Sequence, residues 1–468
     1  MPILYLCTIL STAYAEENNS ETASENTTES LDEIATDVTE GNEKASYVID
    51  YKNPFQYEQW KSPTGKSVFL VEDHRVPIVE LRIAIPIGLW HQIDEELHLE
   101  ESLSIMTFDP QGDLRATSTM LAFDFYTEVN DEFSLIRANY LSEDVEKVQE
   151  HLLKIFANAS FDEQELKRLQ KGEDIAWKSN LKEPSFIGKQ EVIKTLFPDE
   201  NDARQINYLQ SDDIETNTEA LRQHQQKIFS VNNIQFGFAG DIDKSGAQDW
   251  IAKLETIFSA TEKSGFDVSE IYFGSTRNLE ENPVDMDVPQ PNLNQVYFFF
   301  FRDLIPVHSE KYPIYLVADQ VLAGSFYSRL YQALRHEDGD TYGVSSREFW
   351  TIDNDGLLSI ETFTRADNAP ELEEKLRRTI STFQKEGITQ EEFEQAVGNI
   401  VGRDKRRIQA PTQILGRQLA NSVYGRSLDY NQELVNKVQN LTLEEVNAFI
   451  EEFYVASKFG MIRVVPEE

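Results

Sequence analysis

The chain has 468 residues and a formal charge of −39, from 43 basic and 82 acidic side chains, and 40% of its residues are hydrophobic. Charge of that sign and size repels phosphate backbones and excludes nucleic acid as a partner. The length suits two domains of roughly 200 residues each, not one core.

Met1 to Ala15 is apolar and ends Ala13-Tyr14-Ala15, the small-residue spacing that signal peptidase accepts, so it reads as a signal peptide for a bacterial periplasm. Cys7, the only cysteine, lies inside it, which leaves the remaining chain without thiol or disulfide chemistry. Residues 16–46, rich in Glu, Asn, Ser and Thr, read as a disordered acidic linker. No later run approaches the ~20 apolar residues of a membrane-spanning helix.

The folded part is expected from about Tyr51. Ser67 to Glu72 and Ile78 to Ile85 read as strands around the turn at Asp73-His74-Arg75-Val76-Pro77. Glu95 to Thr107 reads as a helix and Leu114 to Glu128 as further strand. Glu143 to Ala157 is an amphipathic helix, with Val145, Val148, Leu152, Ile155 and Phe156 at helical spacing. Asp162 to Lys182 is a long helix ended by Pro184, and Ile234 to Ala239 a strand. Then come an aromatic strand, Gln295 to Phe301, a helix from Pro313 to Leu322, and a strand from Leu357 to Thr364. Helices over Ala369 to Gly387 and Thr389 to Arg407 follow, the latter opening on a capping-box pattern, and Phe459 to Val465 closes the chain.

The order repeats. Phe161-Asp-Glu-Gln-Glu matches Ile388-Thr-Gln-Glu-Glu at an offset of 227, and the strands starting at Ile234 and Phe459 match at 225. The expected fold is therefore α+β, two similar duplicated domains, each an antiparallel-rich sheet covered by helices. The boundaries fall at 47–262 and 292–468, with a linker at 263–291 where Asn282-Pro283, Pro289 and Pro291 interrupt regular structure.

Among catalytic patterns, a phosphate-cradling loop fails because Trp60 stands where Gly65-Lys66-Ser67 would need a glycine, and no Gly-x-Ser-x-Gly elbow is present. Of the seven histidines, only His98 has a suggestive setting, His98-Leu99-Glu100-Glu101-Ser102. Positions i, i+3 and i+4 share a helix face, so His98, Glu101 and Ser102 point together. Two imidazoles at i and i+4 with a Glu at i+3 would hold zinc and activate its water; a serine at i+4 cannot replace imidazole.

That stretch resembles the His-x-x-Glu-His motif of the insulinase/pitrilysin-type (M16) zinc metallopeptidases, and the resemblance extends from about Tyr51 to the C-terminus. It is carried also by Gly65-Lys-Ser-Val-Phe-Leu-Val-Glu-Asp-His-Arg-Val-Pro, Asp113-Leu-Arg-Ala-Thr-Ser-Thr, Phe238-Ala-Gly-Asp and Gly387-Ile-Thr-Gln-Glu-Glu-Phe. The longest match is Leu322-Ala-Gly-Ser-Phe-Tyr-Ser-Arg-Leu-Tyr-Gln-Ala-Leu-Arg, followed by Tyr342 seven residues after Arg335.

The resemblance implies two-domain halves of a clam-like chamber. Arg335 and Tyr342 would bind substrate and steady the oxyanion, and peptide would add as a strand along Leu114, Arg115, Ala116, Thr117, Ser118 and Thr119. It also marks departures. Ser102 replaces the second zinc ligand, and the third-ligand place falls on Ile175 or Ala176, with Glu173 one turn early. His98 is then a vestigial ligand and Glu101 a vestigial base. No stoichiometric metal is expected in this chain. The implied role is a non-catalytic periplasmic subunit, donating Arg335 and Tyr342 to a partner of the same family that bears the intact motif and its zinc, with peptide as substrate. The alternatives are a peptide-binding or scaffold protein, and a weak zinc endopeptidase in its own right.

Overall fold

The computed structural model describes residues 55–89, 99–107, 113–130, 132–157, 159, 161–199, 217–231, 233–258, 277–336, 341, 343–350 and 356–467. The expected signal peptide and acidic linker lie outside the described residues.

In the first half, β1 (Glu58–Lys61), β2 (Ser67–Glu72) and β3 (Ile78–Ile85) lead to α1 (Leu99–Ser104) and α2 (Asp113–Met120). β4 (Asp124–Val129), β5 (Ser134–Leu141), α3 (Val145–Ala157), α4 (Glu163–Asn180) and α5 (Pro184–Leu196) follow. α6 (Thr218–Phe229), β6 (Gln235–Gly240) and α7 (Lys244–Leu254) complete this half. The second half holds β7 (Asp285–Gln290), β8 (Gln295–Leu304), α8 (Tyr312–Leu322), α9 (Arg329–Tyr331, running on into a π-helical turn at Gln332–His336), β9 (Val344–Trp350) and β10 (Gly356–Arg365). Then come α10 (Ala369–Glu386), α11 (Gln390–Arg406), α12 (Pro411–Val423), α13 (Tyr430–Gln439), α14 (Leu443–Phe453) and β11 (Gly460–Pro466).

The strand orders are β1-β2-β6-β3-β5-β4 and β7-β11-β8-β10-β9. β2 and β6 run parallel, as do β7 and β11, and every other pairing is antiparallel. The two sheets are thus the same arrangement, with β1 added at one edge of the first. The duplication read from two short motifs extends to topology.

Two expectations are corrected. Leu114 to Thr119 was expected as a strand edge able to accept a peptide; these residues form α2. Their Thr/Ser content is neutral between states, and the stretch has no two-residue alternation to hold it in a sheet. The edge of the first sheet is instead β4. The expected linker at 263–291 also contains β7, whose Pro289 is tolerated because β7 is an edge strand, and whose Asp285 and Asp287 meet Arg463 of β11 at 2.7 and 2.8 Å.

The core follows strand alternation. In β2, Val68 and Leu70 face one cluster and Phe69 and Val71 another. In β8, Phe298 and Phe300 join the main cluster, while Phe299 and Phe301 face the opposite way with Ile462 and Val464 of β11. Burial of each such ring stabilises by roughly 2–3 kcal/mol.

The second face of each sheet is covered from the other half. α5 packs on β8 and β11, bringing Ile187, Val192, Ile193 and Leu196 onto Phe299 and Phe301. In return α12 packs on β2, β3 and β6, where a Cβ at Gly237 would come within 2.6 Å of Leu415. The halves therefore exchange one helix each. Gly240 (φ 104°) turns the chain out of β6, where any Cβ would run into the Ile78 carbonyl that accepts the Asp241 amide at 2.9 Å.

Candidate functional site

Two regions were expected to carry chemistry. The first is built on α1, which packs against α4, α6 and β4. His98 lies outside the described residues, and Glu101 is on α1 with its side chain outside the description. Ser102 is described: it is 0% exposed, and its Oγ has no hydrogen-bond partner. Its neighbours Leu103, Ile105 and Met106 join the first-half core with Leu121, Phe123 and Leu166.

The structure does bring α4, with Glu173, alongside α1, which is the juxtaposition a shared metal site would need. Glu173 is half-buried, and Ile175, at the expected place of a third ligand, is 58% exposed. Asp174 is engaged with Lys178 at 2.6 Å. A buried serine hydroxyl and an exposed isoleucine do not suit zinc, which wants three or four nitrogen, sulfur or carboxylate donors. Among the described residues, no group of three or more His, Cys, Asp or Glu side chains is placed to hold a metal ion.

The second region is the segment from Gly324 to Ser346. Gly324 ends α8, with its amide donating to the Asp319 carbonyl at 3.0 Å. The turn Ser325-Phe326-Tyr327 is closed by the Tyr327 amide on Ser325 Oγ at 3.2 Å and by Gln332 Nε2 on the Phe326 carbonyl at 2.8 Å. Ser328 caps α9, its hydroxyl accepting from the Tyr331 amide. Arg329 then locks the turn with two parallel bonds of 2.8 Å to the Glu392 carboxylate. Glu392 is also the third residue of the capping box that opens α11 with Thr389, and Arg329 first, Thr389 second, hold its carboxyl below the usual range. Two motifs far apart in sequence, Ser-Arg-Leu and Thr-Gln-Glu-Glu, are thereby one structural joint.

Arg335 sits in the π-helical turn, a helix defect often found at functional positions. Its side chain is outside the description, but the preceding Leu334 is fully buried and anchors the turn. Tyr342 lies outside the described residues. Its neighbours are fixed: Thr362 of β10 donates to the Gly343 carbonyl at 2.9 Å and bonds the Thr341 hydroxyl at 3.1 Å, and the Gly343 amide donates to Thr341 Oγ1 at 3.2 Å. Thr341 and Gly343 are thus held to β10 through Thr362.

Sequence reasoning passed over a polar cluster behind this segment. Ser346 donates to Asp319 at 2.9 Å, and Tyr312 donates to Glu348 at 3.1 Å. The only available signal was the i, i+3, i+7 spacing of Tyr312, Tyr315 and Asp319 on an otherwise apolar helix.

With this geometry in hand, the likeness to known proteins is specific. Residues 216–400 match the family described as the peptidase M16 inactive domain. A Bacillus subtilis protein described as the uncharacterized zinc protease YmxG is 23% identical over 407 residues, covering 85% of this chain and 95% of its own length. A Helicobacter pylori protein described as the non-peptidase homolog YmxG is 25% identical over 236 residues, 49% of this chain and 51% of that one.

Among solved structures, a peptidase M16 inactive domain from Pseudomonas fluorescens superposes with a TM-score of 0.74 at 19% identity, covering 88% of this chain and 98% of that one. The periplasmic protease PqqL of Escherichia coli superposes with a TM-score of 0.68 at 13% identity, covering 97% of this chain but 50% of PqqL. The fold is the two-domain α+β arrangement shared with these structures. Sequence and fold together make the chain similar to peptidases of the M16 family and to their inactive relatives. Among the described residues no helix is long and apolar enough to cross a membrane.

Proposed function

We propose that this chain is the non-catalytic subunit of a heterodimeric periplasmic zinc peptidase, and that Arg335 and Tyr342 act in the partner's metal site. The observation that carries the reading is Ser102: where the family motif needs a metal-binding histidine, this chain has a wholly buried hydroxyl. Further support comes from the match to an inactive domain, from a relative described as a non-peptidase homolog, and from the chain's spanning half the length of a periplasmic protease of similar fold.

In such a complex the partner, bearing the intact His-x-x-Glu-His motif, supplies the metal chemistry. This chain supplies two hydrogen-bond donors. The Arg335 guanidinium stays charged at any working pH, and the Tyr342 phenol is a neutral donor. Aimed at a scissile carbonyl oxygen, both gain strength as that oxygen becomes negative. Leu334 is buried in the core beside Arg335, and Thr362 holds Thr341 and Gly343 to β10.

The test is co-expression with a partner bearing the intact motif. Alone, the chain hydrolyses no peptide and carries no stoichiometric zinc; the complex is active. Arg335→Ala and Tyr342→Phe each lower kcat of the complex by about 10²-fold or more. Full activity of a complex carrying both changes refutes the donation.

A further inference from the structure

The outer face of the second sheet is covered unevenly. α5 packs on β8 and β11, while β10 and the edge strand β9 lie to one side of it. Along β10, Leu358 and Ile360 join the main core, and Leu357 joins the cluster under α5, so Ser359 and Glu361 share the outer face with Leu357. Register puts Ser359 between Phe301 of β8 and Arg347 of β9, and Glu361 between Phe299 and Ser345.

Charge is concentrated on this shelf. Arg347 Nε stands 3.3 Å from Glu361 Oε2, and Lys189 Nζ of α5 stands 3.9 Å from the same oxygen. Two cations thus share one oxygen of one carboxylate. The other oxygen, Oε1, is buried with no hydrogen-bond partner among the described residues. The hydroxyl of Ser359, a residue 1% exposed, has none either. Buried polar atoms left unbonded are costly, so the pair points to a missing partner. Burial draws Lys189 below its usual range; Glu361 opposes that shift and Arg347 adds to it.

The first sheet supplies the comparison. In its matching row, Arg137 of β5 lies opposite Arg82 of β3 and Tyr126 of β4. There Arg137 meets Glu128 at 3.0 Å and Arg82 meets Glu80, so two cations face two carboxylates. The duplicated row in the second sheet is one carboxylate short.

We propose that the shelf formed by Lys189, Arg347, Ser359 and Glu361 binds a peptide carboxylate, which completes the set of two cations and two carboxylates. Arg347 is exposed, and the nitrogens of its guanidinium beyond Nε suit a carboxylate with two parallel bonds. Lys189 adds a point charge from α5. As the ligand draws Arg347 outward, Glu361 Oε1 and the Ser359 hydroxyl become reachable by water or by the ligand's own N–H. The choice of a peptide rests on the reading above, since β9 begins two residues after Tyr342 and carries the shelf away from the proposed donor pair. Carboxylate binding itself operates in the lone chain.

The test is a titration of the isolated full chain at low ionic strength, followed by saturation-transfer NMR of the ligand. Three probes are used: acetyl-tetraalanine as the free acid, the same peptide as its C-terminal amide, and an amide with glutamate in place of the third alanine. At least one of the two acids binds and the neutral amide does not; which acid binds tells whether a chain terminus or an acidic side chain is the ligand. Arg347→Gln and Lys189→Gln each weaken binding about tenfold. Arg347→Gln, at an exposed position, keeps the test open should Lys189→Gln fail to fold. Glu361→Gln removes the competing carboxylate and strengthens binding. Arg365→Gln, at the exposed end of β10, controls for bulk charge and leaves binding unchanged. Binding of neither acid, equal binding of the neutral amide, full affinity in folded Arg347→Gln, or an equal loss in Arg365→Gln overturns the proposal. Inactivity of the co-expressed complex, by contrast, bears on the subunit reading alone.

Discussion

Gly188 offers a direct measure of the helix exchange between the halves. It lies on α5, and a Cβ there would come within 2.6 Å of Phe299 Cδ2 and closer still to Cε2 and Cζ of the same ring. Phe299 is 2% exposed, so the ring has nowhere open to go. Restoring ordinary contact needs a shift on the order of an ångström or more, and overpacking of this kind costs about 3 kcal/mol. Alanine favours a helix over glycine by about 1 kcal/mol, which leaves Gly188→Ala destabilised by about 2 kcal/mol. Gly172 on α4 is the counterpart: a Cβ there meets nothing within 4 Å, so Gly172→Ala gains up to about 1 kcal/mol. Urea unfolding followed by far-UV circular dichroism reads both. A Gly188→Ala midpoint at or above wild type would show that α5 does not cross β8 as described.

Three further outcomes follow from the site. Ser102→His does not rebuild a zinc site: an imidazole in that closed core costs about 3 kcal/mol, and metal analysis of the variant finds no stoichiometric zinc. Arg329→Ala opens the joint between the Ser-Arg-Leu turn and α11; with both partners partly exposed, the stability loss is about 1 kcal/mol, while protease sensitivity around Phe326 and Tyr327 rises. His74 Nδ1 donates to the Asp241 carboxylate at 2.7 Å, and that bond raises the histidine pKa, so its contribution is present below the ordinary histidine value and fades as pH rises through the raised one. The melting temperature of wild type minus His74→Ala therefore shrinks as pH rises above the ordinary histidine value of about 6.5, and a constant difference would contradict the assignment.

Much of the fold was legible because each sheet is buried on both faces. β2, β3 and β8 are near-continuous apolar runs bounded by turn residues, and the Thr389–Glu392 box announces α11. What was illegible depended on partners far away in sequence. β7 has alternating Asp residues and a proline, and what makes it a strand is its pairing with β11, whose Arg463 lies 178 and 176 residues downstream of Asp285 and Asp287. α2 carries β-tolerant Thr and Ser without alternation, so local preference did not decide it. Periodicity on α5 and α12 predicts burial but cannot say against which sheet. At the site, Ser102 was singled out by helical spacing and Arg335 by resemblance, whereas the bonds of Ser346 to Asp319 and Tyr312 to Glu348 needed the strand and helix to be brought together.

The exchange of α5 and α12 has a bearing on ancestry. A chain half this long, with one sheet of either kind, leaves the aromatic or aliphatic second face of that sheet uncovered, a face that includes Phe299 and Phe301 in one half and Phe69 and Val71 in the other. A half-length chain of that kind would cover the face by pairing, each copy lending its helix to its twin. In the present protein the two sheets cover each other within one polypeptide, so its halves, expressed as separate pieces, are expected to reassociate through α5 and α12.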